Sequence, residues 1–349
     1  GRPVRSQLER DESFIIPHHS VGPLYYDTKG GIKLGDGRPT ALDTVVHINQ
    51  GGHNSCGLEA PYVGSEACVA VYYYDSVRFE GYPVYCNLNM SGARRSYGDA
   101  EGFYCSEQFV DELAEAAGID PLEWRIRWVL RPGEPCTWRL VWGEFAGGNY
   151  EALMKKGAEL FGWDEKWKGW GKPTAVNGSK RRGVGLALSM HVTGIAGDMG
   201  CVRINLDGTV DIFSHAEDIG QGIKSAMAMA VAEVLGVRYE DVRSSESNTA
   251  FVPRGMCICA SRGTPVVIGA AVNAAKDARN KLLEKAAQAL EVEPGELDIK
   301  DGKVFIKSQP DNGMTVGEAA SGPGHHRIGV IGVSIEEVPH INPDTKQPL

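Results

Sequence analysis

Three short stretches of this 349-residue chain combine residue types and spacings that could hold a ligand. The first is Asp218-Ile219-Gly220-Gln221-Gly222, followed by a helical pattern from about Ser225. A Gly–polar–Gly turn feeding a helix suits an anion. Glycines let the backbone approach a ligand closely, and free amides at a helix start favour negative charge. Gln221 adds a side-chain amide that both donates and accepts. The same residues would also serve as a plain turn capping a helix.

The second stretch runs from Asn248-Thr249 through Pro253 to Cys259-Ala260-Ser261-Arg262-Gly263-Thr264, ahead of a long apolar helix from Gly269. Small residues and hydroxyls before a helix make a second amide-rich cradle, or a simple hydroxyl-capped turn. The third is Gly92-Ala93-Arg94-Arg95-Ser96-Tyr97-Gly98, between an extended segment and a helix. Paired arginines beside a glycine turn suit phosphate, because guanidinium binds it in a fixed fork. Unliganded surface arginines would look the same.

Eight cysteines, at 56, 68, 86, 105, 136, 201, 257 and 259, are spread along the chain. They read as reduced and mostly buried rather than as a disulfide framework. There is no Cys-x-x-Cys and no histidine pair at ligand spacing. Cys257-Ile258-Cys259 would face its thiols the same way on a strand, but two thiols do not close a zinc or iron–sulfur site. Any iron–sulfur centre serving this chain would therefore sit elsewhere.

These loops need a scaffold. Ala41 to Asn49 alternates apolar and polar residues and predicts a strand; Cys68 to Tyr74 and Arg78 to Asn89 also read as extended. Gly102 to Gly118 predicts a helix with Phe103, Phe109, Val110, Leu113 and Ala117 on one face and Gly118 ending it. Asp120-Pro121 opens a second helix through Trp128, and Tyr150 to Phe161 reads as a third. Residues 163–180, non-periodic and rich in Trp and Gly, read as a linker. Beyond it, Arg182 to Val192 predicts a strand, and Asp207-Gly208 turns a hairpin between Val202–Ile204 and Val210–Ser214. Helices follow over Ser225–Gly236 and Gly269–Leu290, then a hairpin around Asp301-Gly302 and a late strand over Ile328–Val338. The expected fold class is α+β, in two blocks: residues 1–162 and residues 181–349.

Composition sets bounds. With 42% apolar and 23% charged residues, the chain is globular. A net charge of −9 with no strong basic cluster argues against a nucleic-acid partner; Lys180-Arg181-Arg182 reads as a solvated loop. No apolar run approaches the roughly 20 residues of a membrane span. The N-terminus lacks the apolar stretch of a signal peptide, so a cytoplasmic location is expected.

The order of these motifs resembles the xanthine dehydrogenase/aldehyde oxidase family of molybdenum hydroxylases, over nearly the whole chain. Val84-Tyr85-Cys86-Asn87, the Gly92–Gly98 loop, Asp111-Glu112-Leu113-Ala114 and Gly118-Ile119-Asp120-Pro121-Leu122-Glu123-Trp124-Arg125 are similar to the end of that family's first molybdopterin-binding domain. Asp207-Gly208-Thr209-Val210, Gly220-Gln221-Gly222, Ala232-Glu233-Val234-Leu235-Gly236, Ala260-Ser261-Arg262 and Gly269 to Val272 resemble the start of its second. Arg2-Pro3-Val4-Arg5 with Glu9-Arg10 also matches. The resemblance implies two molybdenum-cofactor-binding domains, both incomplete. It implies pterin contacts from Arg95, Gln221, Ala260 and Ser261, with close backbone approach at Gly220 and Gly222. Ser96 and Tyr97 would wall the substrate pocket, and no residue would bind the metal directly. The cofactor would be molybdopterin, in its plain or cytosine dinucleotide form. Iron–sulfur and FAD centres would lie in partner chains of a hetero-oligomer, with room for a second molybdopterin subunit. The family hydroxylates an aldehyde or N-heteroaromatic small molecule. A relative, 4-hydroxybenzoyl-CoA reductase, runs electrons the other way and removes an aromatic hydroxyl.

The chain departs from the family pattern in several places. Arg95-Ser96-Tyr97-Gly98 stands where the family has Arg-Gly-Phe-Gly. The segment from Ser261 to Gly269 is one residue longer than usual, leaving Ser261 and Thr264 as alternative cofactor-facing hydroxyls. The family's Gly-Gly-Phe-Gly loop is absent, as is the Gly-x-Gly-Glu-Pro that carries the catalytic glutamate. Val316-Gly317-Glu318-Ala319 lacks the proline and follows a hairpin, so Glu318 is not read as that base. The chain thus reads as a middle section, either a split subunit or a fragment. A scaffold subunit that has lost cofactor binding is the reading from a different functional class.

Overall fold

Leu42, Thr44, Val46 and Ile48 alternate with more exposed neighbours and are buried, as the sequence pattern predicts. They belong to β2 (Pro39–Gly51), the centre of a three-stranded sheet. The computed structural model describes residues 23–53, 59–92, 95–136, 148–191, 197–245, 255–322 and 329–336, with residues 9, 11, 12, 145, 247, 248, 250 and 252. The chain folds as two compact units that meet in sequence at His191 and Val192.

In the first unit, β1 (Leu24–Ile32) pairs antiparallel with β2, and β3 (Ser76–Tyr85) pairs parallel with it. A parallel pair needs a crossover, which α1 (Glu59–Val69) supplies. The Val- and Tyr-rich stretch Cys68 to Tyr74, expected as extended, instead ends α1. It continues as a buried segment in which Tyr72 makes one bridge to Val129. Burial of Val71, Tyr72 and Tyr74, rather than strand pairing, uses those side chains.

Helix α2 (Asp99–Ala116) buries Phe103, Val110 and Leu113, and Gly118 follows its end at φ +69°. It crosses α1 at small residues. A Cβ on Gly102 would lie 2.7 Å from the Gly64 carbonyl oxygen and from the Ala67 Cβ, so glycine sets the closeness of this crossing. Helix α3 (Pro121–Trp128) starts as predicted: Asp120 accepts from the amides of Leu122 and Glu123. Buried Arg125 on α3 grips α2, donating to Glu107 Oε2 at 2.9 Å and to Asp111 Oδ1 at 2.7 Å. Helix α4 (Tyr150–Phe161) is capped by Asn149 and closed by Gly162.

Residues 163–180, read from sequence as a linker, lie within this first unit and carry tertiary contacts. They include α5 (Trp163–Lys166) and a short hairpin of β4 (Ala175–Asn177) and β5 (Lys180–Arg182). Trp163 is buried and donates to Asp120, Trp170 donates to the Ile119 carbonyl, and Trp167 lies between them, stacked on Trp163 and edge-on to Trp170. The strand expected over Arg182 to Val192 ends at Arg182, and the residues described beyond it, to His191, form no strand. Leu188 is buried there, and its amide donates to the Glu107 carboxylate.

The second unit holds a four-stranded sheet in which β12 (Val330–Glu336), β6 (Asp198–Ile204), β7 (Val210–Phe213) and β8 (Val242–Ser244) lie side by side in that order. Strand β6 (Asp198–Ile204) and β7 (Val210–Phe213) form the predicted hairpin. Strand β8 (Val242–Ser244) runs parallel to β7 after α6 (Ile223–Leu235), and β12 (Val330–Glu336) pairs antiparallel with β6. Helix α7 (Gly269–Leu290), at its predicted bounds, lies across β6 and β12 on an alanine face. Ala270, Ala274 and Ala278 are fully buried. A Cβ on Gly200 would come 2.2 Å from the Ala270 oxygen, and one on Gly332 would come 2.0 Å from the Ala274 oxygen. Strands β9 (Leu297–Lys300), β10 (Lys303–Ile306) and β11 (Gln309–Thr315) form a separate sheet, followed by α8 (Val316–Ser321).

Candidate functional site

Two of the three loops lie in the second unit, and the fold brings them together. Gly222 precedes the first residue of α6, Ile223. Ala260 and Ser261 precede a π-helical turn over Gly263–Ile268 that runs into α7. The α carbon of Gly263 packs on the Ile223 side chain, which a Cβ there would approach to 3.0 Å. The Gly-Gln-Gly turn and the Ala-Ser turn therefore flank one helix-to-helix contact. The third loop, with Arg95, Ser96 and Tyr97, lies in the first unit between the end of β3 and the start of α2. The Gly220–Gly222 turn precedes α6, and the Arg95 loop lies between β3 and α2.

The Gly220–Gly222 turn is already internally bonded. Asp218 Oδ1 accepts from the Gly220 amide at 2.9 Å and from the Gly222 amide at 3.3 Å. These amide contacts hold the Asp218 carboxyl below its usual range. The free amides that the sequence suggested for an external anion are thus engaged by a carboxylate of the same loop. Gln221 spans the loop, accepting from Ile219 N at 2.6 Å and donating to Glu217 O at 2.9 Å. Gly220 and Gly222 have φ of +101° and +75° and face open space.

The Ala260–Ser261 turn has both residues in the left-handed region, at φ +47° and +50°. It is closed by Arg262 N donating to Cys259 O at 3.1 Å. Non-glycine residues hold that backbone only when their surroundings enforce it. Arg262 does so here, although sequence reasoning gave it no role. Its fully buried guanidinium pairs with buried Asp198 at 3.0 Å and donates to the carbonyls of Met256 (3.0 Å) and Gly197 (2.6 Å). His215 Nε2 adds a bond to the same Met256 carbonyl at 2.7 Å. Ser261 and Thr264 are both exposed, so both remain available hydroxyls. Val267 N reaches the Arg262 carbonyl five residues back, at 3.3 Å, the wider spacing that one inserted residue produces.

In the first unit, Arg95 is exposed, and Arg94 lies outside the described residues. Ser96, Tyr97 and Gly98 have φ of +75°, +46° and +106°. Ser96 Oγ accepts from the Ala100 amide at 2.8 Å, serving the start of α2. Asp99, buried at the first residue of α2, bonds His191 Nδ1. That contact raises the His191 pKa, while burial raises the Asp99 carboxyl above its usual range. Neither residue stood out in the sequence. The groove between β1 and α2, lined by Tyr26, Glu101, Tyr104 and Cys105, holds none of the sequence-predicted site residues.

Glu318 has a structural role. Its carboxylate accepts from Thr315 N and Oγ1 in a capping box at the start of α8. The described cysteines form no disulfide; Cys68 and Cys136 are buried, Cys257 is exposed and the others are intermediate. Cys257 and Cys259 lie in a turn, not on a strand. Among the described residues no cluster of three or more His, Cys, Asp or Glu side chains could hold a metal ion. Among them, too, no helix is long and apolar enough to cross a membrane.

Comparison with known proteins bears directly on these loops. Residues 1–129 and 156–345 each match a family model described as a molybdopterin cofactor-binding domain. The chain is 29% identical over 323 residues to the putative xanthine dehydrogenase molybdenum-binding subunit XdhA of Escherichia coli, covering 89% of this chain and 41% of that protein. It is 25% identical over 341 residues to the carbon monoxide dehydrogenase large chain of Afipia carboxidovorans, covering 92% of this chain and 42% of that one. In fold it is similar to quinoline 2-oxidoreductase from Pseudomonas putida 86, with a TM-score of 0.76, 23% identity, and coverage of 95% and 44%. The chain therefore spans about two fifths of the length of these relatives. With both blocks matched and more than half of the chain inside the second match alone, this chain belongs to the molybdopterin-binding domains of the molybdenum hydroxylases.

Proposed function

We propose that this chain holds the molybdopterin of a molybdenum-dependent dehydrogenase that hydroxylates an N-heteroaromatic or aldehyde substrate. The observation that carries the reading is the meeting of the Gly220–Gly222 and Ala260–Ser261 turns across Gly263 and Ile223. The donor chemistry there fits a pterin. The exposed Gln221 amide, which has a second N–H and a second lone pair beyond its in-loop bonds, the exposed hydroxyls of Ser261 and Thr264, and the open space beside the Gly220 and Gly222 α carbons suit a heterocycle's nitrogens and oxygens. Arg95, exposed on a loop of the first unit, suits a phosphate group.

In this reading Gln221, Ser261 and the Ala260 backbone orient the ring system. Gly220 and Gly222 allow close approach, Arg95 takes the phosphate, and Ser96 and Tyr97 wall the substrate space. The molybdenum centre, when bound, supplies the two-electron redox chemistry, and the protein supplies orientation and exclusion of water. No residue of this chain is assigned as the proton-abstracting base. Electrons would pass to iron–sulfur and flavin centres in partner chains of a cytoplasmic hetero-oligomer. The relative named for xanthine dehydrogenase supports the N-heteroaromatic substrate class.

The test is metal and pterin analysis of the purified complex. Molybdenum and pterin near one per chain are expected, with pterin content falling in Gln221→Ala and Ser261→Ala variants of normal thermal stability. Absence of both from the wild-type complex would overturn the reading. It would favour a scaffold chain instead, an alternative to which the capture of two loop amides by Asp218 lends weight.

A further inference from the structure

Directly before the Ala260–Ser261 turn, two cysteines, Cys257 and Cys259, stand two residues apart in a tight turn. The backbone brings them together: Cys259 N donates to Cys257 O at 2.9 Å, closing a three-residue turn around Ile258. On an extended strand the same two residues would stand about 6.4–6.8 Å apart between α carbons, the far end of what a disulfide tolerates, and the turn brings them closer. Cys257 is exposed, whereas Cys259 is partly covered and its thiol is pushed up by burial. One thiol is therefore placed to meet an oxidant and the other to resolve the product.

We propose that Cys257 and Cys259 form a reversible disulfide within this loop, with hydrogen peroxide as the oxidant. The Cys257 thiolate attacks one peroxide oxygen. The O–O bond breaks, a water leaves after protonation, and Cys257 becomes a sulfenic acid. The Cys259 sulfur then attacks the Cys257 sulfur, the S–S bond forms, and a second water leaves with the Cys259 proton. The two thiols lose two electrons and two protons in total, and one peroxide becomes two waters. So small a ring strains the disulfide and makes it easy to reduce. Its consequence rests on the proposed function: the bond would pin the residues next to the turn that orients the pterin.

The sequence offers a clean readout. Trypsin cuts after Arg254 and Arg262, releasing Gly255–Arg262, which contains both thiols and no other cysteine. The full-length protein is treated with peroxide, alkylated with iodoacetamide and digested. The expected peptide has lost two hydrogens and takes no alkyl group; dithiothreitol restores two alkylatable thiols. Oxidation of Met256 adds an oxygen and is distinguishable by mass. In a Cys259→Ser variant, Cys257 should go on to irreversible oxidation at the same dose. A wild-type peptide that keeps two alkyl groups, or one carrying Cys257 sulfinic acid beside a free Cys259, overturns the proposal. The mass is read whether or not pterin is bound, so the result stands apart from the cofactor reading.

Discussion

Ser96 Oγ accepts a hydrogen bond from the Ala100 amide at 2.8 Å while the Ser96 backbone sits at φ +75°. The family glycine at this position follows from that backbone, because a left-handed residue with a side chain costs about 1–2 kcal/mol. Serine meets the cost and returns a bond to the start of α2, worth about 1 kcal/mol. Ser96→Ala keeps the strain and loses the bond, so it should lower stability by about 1 kcal/mol. Ser96→Gly should stay within about 1 kcal/mol of wild type, since the two changes offset. Urea unfolding of the two variants checks the order; alanine milder than glycine would reject it.

Gly98 leaves less freedom. Its φ is +106°, and a Cβ would lie 2.4 Å from the Ala60 carbonyl oxygen. Gly98→Ala should cost about 2–4 kcal/mol and displace the start of α2. Thermal unfolding measures the loss, and pterin content should fall with it.

The Asp99–His191 bond makes stability depend on pH. The His191 pKa is raised by the Asp99 carboxylate, with Glu66 adding to the effect, and Glu101 faces Asp99. A raised histidine value means the folded state holds the proton more tightly. The stabilisation is complete below the unfolded value of about 6.5 and fades as pH rises through the folded value. Wild-type protein should lose more stability than His191→Gln between about pH 6 and pH 9. Parallel curves for the two proteins would remove this role.

Arg125 is a buried charge with a nearly full set of partners. Arg125→Met should destabilise by about 3–5 kcal/mol, because Glu107 is left buried and unpaired. Adding Glu107→Leu should restore only part of the loss. Tyr72 OH and Leu188 N also depend on that carboxylate. Denaturant midpoints of the single and double variants decide the point.

Local signals were readable in the sequence wherever a short-range contact decides the structure. Asn149 and Gly162 bound α4, and Asp120 with Pro121 starts α3, all through bonds within a few residues. The reading failed where distant partners decide. Leu188 is held by Glu107, 81 residues away, and the Trp163–Trp170 cluster by Asp120 and Ile119. The site divides the same way. Gly220, Gln221, Ala260 and Ser261 carry motif signals, but their meeting depends on Ile223 packing against Gly263. Asp218 carries a signal of its own, because an aspartate two residues before an amide commonly bonds it.

The π-helical turn at Gly263–Ile268 has a mechanical outcome. Successive residues of a regular helix advance about 100° around the axis. Excising one residue from this turn would swing the preceding loop through roughly that angle, while the alanine face of α7 stays seated on its sheet. The bearing of the Ser261 hydroxyl is thus fixed by the winding of a single turn, and a shorter version of this protein would aim it elsewhere.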